Sequence, residues 1–136
     1  MPSIPQSIAF ASVREIGKHL RAKEFSSVEL TEFFLERLKS FGPKLNAVVT
    51  VTEELAIRQA KQADEELNVG SDRGPLHGIP YGVKDLLATK GVPTSWGAAP
   101  FRDRIIDADS TVVARLVETG AVLIGKLAMV EIAGGL

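Results

Sequence analysis

No cysteine occurs anywhere in the chain. Disulfides, thiolate nucleophiles and cysteine-ligated zinc are thereby excluded, and the composition agrees with a reducing compartment, the cytoplasm being the modest expectation. A dominant charge sign is also missing. Lys and Arg number 16 against 17 Asp and Glu, for a net charge of −1, so the electrostatic footprint of a nucleic-acid binder or of a protein bound to an anionic membrane is absent. No apolar run approaches the ~20 residues of a membrane span. The opening Met1-Pro2-Ser3-Ile4-Pro5 has neither the basic start nor the apolar stretch of a signal peptide. A soluble, unexported chain is therefore expected. Internal repeats and low-complexity tracts are missing too. The two histidines, His19 and His77, lie far apart without acidic neighbours at ligand spacing, so no metal site is expected. No G-x-S-x-G occurs, which disfavours a Ser-His-Asp hydrolase.

What is present suits a globular domain: 136 residues, 45% apolar and 24% charged. Ser12 and Glu15 have capping-box spacing ahead of Val13, Ile16, Gly17 and Leu20, which predicts a first helix. Ser26 and Glu29 repeat the device before Leu30, Phe34, Leu35, Leu38 and Phe41, with Gly42-Pro43 as the expected stop. Asn46 to Val51 reads as a short strand or extended connection. Thr52 is expected to cap a third helix carrying Ala56, Ala60, Ala63 and Leu67, which ends near Gly70.

Beyond Gly70, glycine, proline and short apolar runs replace helical periodicity. Tyr81-Gly82-Val83 should be extended and mostly buried, with Lys84 at its end. Residues 88–109 form a long loop anchored by Trp96 and Phe101, of the kind that covers a site. Asp109 or Ser110 starts a helix that ends at Gly120, and Ala121 to Ile124 is a fully apolar strand. The fold class is therefore α/β: N-terminal helices over residues 1–70, then the start of a mixed, helix-flanked sheet over residues 71–136, all within one domain. The apolar, glycine-rich end, Ala128 to Leu136, reads as an interrupted domain.

Several residues could carry chemistry. Lys84, following an apolar run, is expected to be partly desolvated, which makes its neutral amine accessible, whereas Asp85 beside it favours the charged form. The structural alternative is a Lys84–Asp85 pair at a strand end. Ser95 could form a dyad with Lys84, but a turn role is the simpler one. Gly120 to Lys126 spells G-x-x-x-x-G-K, yet Leu127 stands where a phosphate loop needs Ser or Thr, and the four intervening residues are strand formers. Lys126 is then either a strand-end residue reaching solvent or a lysine bonded to backbone carbonyls.

The stretch Gly74-Pro75-Leu76-His77-Gly78-Ile79-Pro80-Tyr81-Gly82-Val83-Lys84-Asp85 resembles the lysine segment of the amidase signature family, G-P-L-x-G-I-P-x-x-V-K-D. Gly91-Val92-Pro93-Thr94, Asp107-Ala108-Asp109, Gly120 to Leu127 and Met129-Val130-Glu131 follow in the family's order, and Leu45-Asn46-Ala47 resembles its N-terminal region. The resemblance implies the amidase signature fold, incomplete in this chain, and hydrolysis of carboxamide C–N bonds by a Ser–cis-Ser–Lys triad. Lys84 matches the catalytic lysine. The two serines and the oxyanion donors would lie beyond Leu136, so residues 1–136 alone should be inactive. Ala133, Gly134 and Gly135 match the stretch that borders the substrate pocket. The resemblance implies a small-molecule amide substrate, no cofactor and no metal, and it admits a homodimer. Tyr81-Gly82 and Ser95-Trp96-Gly97-Ala98 are more similar to free-standing amidases than to the A-type chain of glutamyl-tRNA amidotransferase, which is the alternative together with a non-catalytic truncated domain.

Overall fold

The computed structural model describes residues 4–134. After a short 3-10 turn at Gln6–Phe10, the order is α1 (Val13–Arg21), α2 (Ser27–Leu45), β1 (Val48–Val51), α3 (Glu53–Asn68), β2 (Pro80–Lys84), α4 (Thr111–Glu118) and β3 (Val122–Leu127). Both predicted capping boxes form. Ser12 and Ser26 each accept a hydrogen bond from the backbone N–H three residues on, and Glu15 and Glu29 reach back to the cap N–H groups. Orphan donors at both helix starts are thus satisfied reciprocally.

Helix α2 does not stop at Gly42-Pro43. It runs on to Leu45, where Asn46 takes the left-handed conformation, and the N–H groups of Ala47 and Asn46 return to the carbonyls of Gly42 and Pro43. Asn tolerates that conformation, so it is the terminator. Gly42 serves packing instead, since a Cβ there would lie 2.7 Å from Val48. Thr52 also departs from its expected part. Its hydroxyl makes no cap bond but donates to the Leu123 carbonyl at 2.7 Å, which ties the start of α3 to the sheet. Of the two candidate caps for α4, Ser110 accepts from Val113 N–H, whereas the Asp109 carboxylate is taken by Lys90 N–H.

The sheet is mixed, in the order β1-β3-β2, with β1 antiparallel and β2 parallel to the central β3. Alternation explains why β3 is so apolar. Val122 and Ile124 pack with Leu35, Ala56 and Ala60 of α2 and α3, whereas Leu123 packs with Val83 and with Val113 of α4. A strand covered on both faces has little use for polar side chains. β3 is also longer than expected, because Gly125, Lys126 and Leu127 continue the ladder. The Gly-Lys motif is therefore strand and not a phosphate loop. A third cluster, Ile8, Ile16, Leu20, Phe25, Leu30 and Ile79, holds the N-terminal helices against the start of β2. Asp64 of α3 accepts the N–H groups of Ser27 and Val28 at 2.6 and 3.0 Å, an acid placed at the positive end of α2.

Candidate active site

The parallel strands β2 and β3 end together, with Lys84 in register with Leu127. One residue later the Asp85 N–H bonds the Leu127 carbonyl at 2.9 Å. Lys84 is exposed, whereas Val83 and Asp85 on either side of it are buried. The expected desolvation of Lys84 is thus not found among the described residues. The reason is alternation on an edge strand: Gly82 and Lys84 point away from the packed face that Val83 and Asp85 enter. The Lys84–Asp85 pair is not found either. The Lys84 amine has no ion pair and no side-chain hydrogen bond among the described residues.

Asp85 is instead fully buried and belongs to a polar cluster under the 93–97 loop. One carboxylate oxygen accepts the Ser95 N–H at 3.2 Å and the Ser95 hydroxyl. The other lies 3.3 Å from Lys126 Nζ and accepts no aligned hydrogen bond, which makes the contact ionic. The Lys126 amine, fully buried, donates to Thr94 Oγ1 at 2.8 Å and to the Pro93 carbonyl at 3.3 Å. Burial pushes this amine below the usual lysine range, with Asp85 opposing. Lys126 thus reaches no solvent; the alternative of carbonyl bonding holds in part, with a carboxylate and a hydroxyl added. Ser95, bonded to Asp85 and accepting from Gly97 N–H, is committed to shaping the loop and forms no dyad with Lys84.

The loop is held from above as well. Arg104 donates twice to the Thr94 carbonyl, and its guanidinium lies 3.9 Å from the Trp96 ring centre and 4.5 Å from that of Phe101. Trp96 and Phe101 are the anchors the sequence suggested, and they meet edge to face. Trp96 has a positive φ of 55°. Its backbone is clamped on both sides: its N–H bonds the Asp85 carbonyl at 3.1 Å, and its carbonyl accepts Ile132 N–H at 2.7 Å. The second bond ties the Lys84 end of β2 to the segment containing Ala133 and Gly134, both exposed. Two of the three candidate pocket residues therefore connect through one residue to the candidate lysine; Gly135 lies outside the described residues.

The histidines stand apart from this cluster. His77 is buried beside Glu66, with Nε2 3.1 Å from that carboxylate and Nδ1 accepting Arg73 N–H. His19 pairs with exposed Glu24. Among the described residues no group of acidic or histidine side chains could hold a metal ion, and no helix is long and apolar enough to cross a membrane.

Sequence reasoning missed the Asp85–Lys126 pair. The register between β2 and β3 shifts after Tyr81, so Tyr81 faces Leu123 but Val83 faces Lys126. Strict alternation counted from Leu123 would have placed Lys126 on the opposite face. The available signal was a lysine within an otherwise apolar, doubly covered strand, which demands a buried anion.

The family model for amidases matches residues 29–136. The chain belongs to the amidase signature family. Its curated relatives include the A-type chain of the glutamyl-tRNA(Gln) amidotransferase of Coxiella burnetii, 44% identical over 124 residues, which are 91% of this chain and 26% of that protein. Similar solved structures include the native peptide amidase of Stenotrophomonas maltophilia, with a TM-score of 0.84 and 32% identity, covering 90% of this chain and 26% of that one. Fatty acid amide hydrolase follows the same fold at a TM-score of 0.81 and 27% identity, over 91% of this chain and 22% of that one. The chain spans about a quarter of the length of the curated relatives it matches. Within an amidase signature fold the described residues supply the N-terminal helices and part of a mixed sheet.

Proposed function

We propose that the intact protein hydrolyses carboxamides, with Lys84 as the proton acceptor of a Ser–cis-Ser–Lys triad whose serines lie outside residues 1–136. The observation that carries this reading is the placement of Lys84. It ends a strand at the loop edge of the sheet, its amine free of any ion pair among the described residues, while the adjacent carboxylate is turned inward and occupied by Lys126. The amine is therefore open to a hydroxyl brought against the strand end.

In the proposed reaction neutral Lys84 Nζ takes the proton of a bridging serine, which takes that of the nucleophilic serine. The nucleophile's oxygen adds to the amide carbon. The C–N bond then breaks, the departing nitrogen receives the proton back through the relay, and water cleaves the acyl-enzyme. Ala133, Gly134 and Gly135 would line the acyl pocket, where a glycine lets substrate approach the backbone closely. The cover that desolvates Lys84 would come from polypeptide other than the described residues. The substrate is a small-molecule amide, the compartment the cytoplasm, and no cofactor takes part.

In the intact protein Lys84→Ala should lower kcat by about 10²–10⁴-fold or more while the fold persists, because it removes a proton acceptor from an exposed strand end. Lys84→Arg should fail equally, since guanidinium stays protonated. A variant of either kind with near-normal kcat in a steady-state amidase assay removes Lys84 from the mechanism.

A second reading is favoured by the curated relatives, which are A-type chains of the amidotransferase. In it the same lysine would serve a component that releases ammonia for transfer to an acylated tRNA and works with partner chains. Hydrolysis of simple carboxamides by the purified intact protein alone supports the first reading; strict dependence on co-expressed partners supports the second.

A further inference from the structure

We propose that the buried Asp85–Lys126 pair positions Lys84 for catalysis, a role that rests on reading Lys84 as the base. Both side chains are wholly inaccessible to solvent. Replacing a buried ion pair with apolar side chains of similar volume is often neutral or stabilising, so stability alone is a weak reason for this one to exist. Its location supplies another. Asp85 follows the candidate base directly, and Lys126 sits on the neighbouring parallel strand opposite Val83, the residue before that base.

The pair brings three separate segments to one point. The Asp85 carboxylate holds Ser95 by its N–H and hydroxyl. The Lys126 amine holds the two preceding residues through the Pro93 carbonyl and the Thr94 hydroxyl. Trp96, next along the loop, bonds the Asp85 carbonyl on one side and Ile132 N–H on the other. Strand end, loop and the segment leading to the candidate pocket residues are therefore fixed relative to one another by groups anchored on a single ion pair. The pair also keeps the carboxylate's charge engaged inside the fold, on the face opposite to that of the Lys84 side chain. Buried, directional and fully inside the packed face, this arrangement suits a part that must hold an exposed amine in place while substrate comes and goes.

The test uses the intact protein and a chromogenic anilide substrate, with kcat expressed per active site titrated from the acyl-enzyme burst. The double variant Asp85→Asn with Lys126→Met removes both charges and leaves no lone buried ion. If it melts cooperatively, kcat per active site should fall by about 100-fold with KM changed less than about threefold, the signature of a misplaced catalytic group. Wild-type kcat in that folded double variant overturns the proposal, and so does a loss confined to melting temperature. Should the double variant not fold, Thr94→Val and Ser95→Ala each cut one hydrogen bond to the pair without exposing a charge. Both should lower kcat by about tenfold at unchanged KM; full kcat in both also overturns it. Lys84→Ala measured alongside separates the two ideas. An active Lys84→Ala defeats the catalytic reading itself, whereas an inactive Lys84→Ala beside fully active pair variants defeats the positioning role alone.

Discussion

Gly97 shows how tightly single residues are constrained beside the candidate site. Its φ is +68°, and a Cβ there would lie 2.7 Å from the Met129 carbonyl oxygen and 3.0 Å from that of Val130. Backbone strain and a clash with backbone therefore act together. Gly97→Ala should cost about 1–3 kcal/mol in a thermal or denaturant melt. Gly70 makes the matched control, because its φ is +79° but nothing lies within 4 Å of its added Cβ, so Gly70→Ala should show the backbone contribution alone. Equal losses at the two positions would mean that the loop yields to the clash. At this scale the sequence was informative where chemistry is local and silent where it is relational. The position of Lys84 at a strand end could be read from an apolar run and a motif. Its exposure and the buried partnership of Asp85 with Lys126 could not, because they depend on a register shift between strands far apart in the chain.

Elements held to their predictions best where their signals are carried by neighbouring residues. The capping boxes of α1 and α2 each lie within one helical turn and formed as read. The end of α2 was misread because Gly42 answers to Val48 across a packing contact and not to the helix itself. The segment joining α3 to β2 offers a test of electrostatics at this scale. His77 is buried there against Gly120, whose added Cβ would strike the ring, and it faces Glu66, Asp72, Arg73 and Arg21. Burial pushes the imidazole below its ordinary value of 6.5, with the Glu66 carboxylate opposing. The folded chain thus holds this ring neutral while the unfolded chain protonates it below 6.5. The stability His77 contributes is complete above that pH and is lost as the pH falls through the lower, folded value. Glu66 and Asp72, held below their ordinary values by hydrogen bonds from Arg73 and Arg21, lose their contributions at still lower pH. Melting temperatures recorded from about pH 8 to 5 should decline from near 6.5 in the wild type. In His77→Asn, which keeps an acceptor for Arg73 N–H, that first decline should vanish. Its persistence would assign the acid sensitivity to other groups.

For the whole molecule, the α/β class, the mixed sheet and the helical cover follow from alternating signals along the chain, and the family match agrees with them. Catalysis is a different matter, because the described residues offer one candidate triad member and no nucleophile placed against it. Purified residues 1–136 should therefore turn over no amide, and any activity there that disappears with Lys84→Ala would show that a nucleophile within these residues had been overlooked. The strand order β1-β3-β2 has a separate consequence for biosynthesis. β1 and β2 leave the ribosome early, yet neither pairs with the other, and both wait for a strand that begins only at Val122. A nascent chain can assemble its helices as they emerge, but the sheet closes only when β3 arrives and slots between two waiting edges. Until then the edges of β1 and β2 that β3 will fill stay unpaired, so between the synthesis of Lys84 and that of Leu127 any extended segment nearby competes for them.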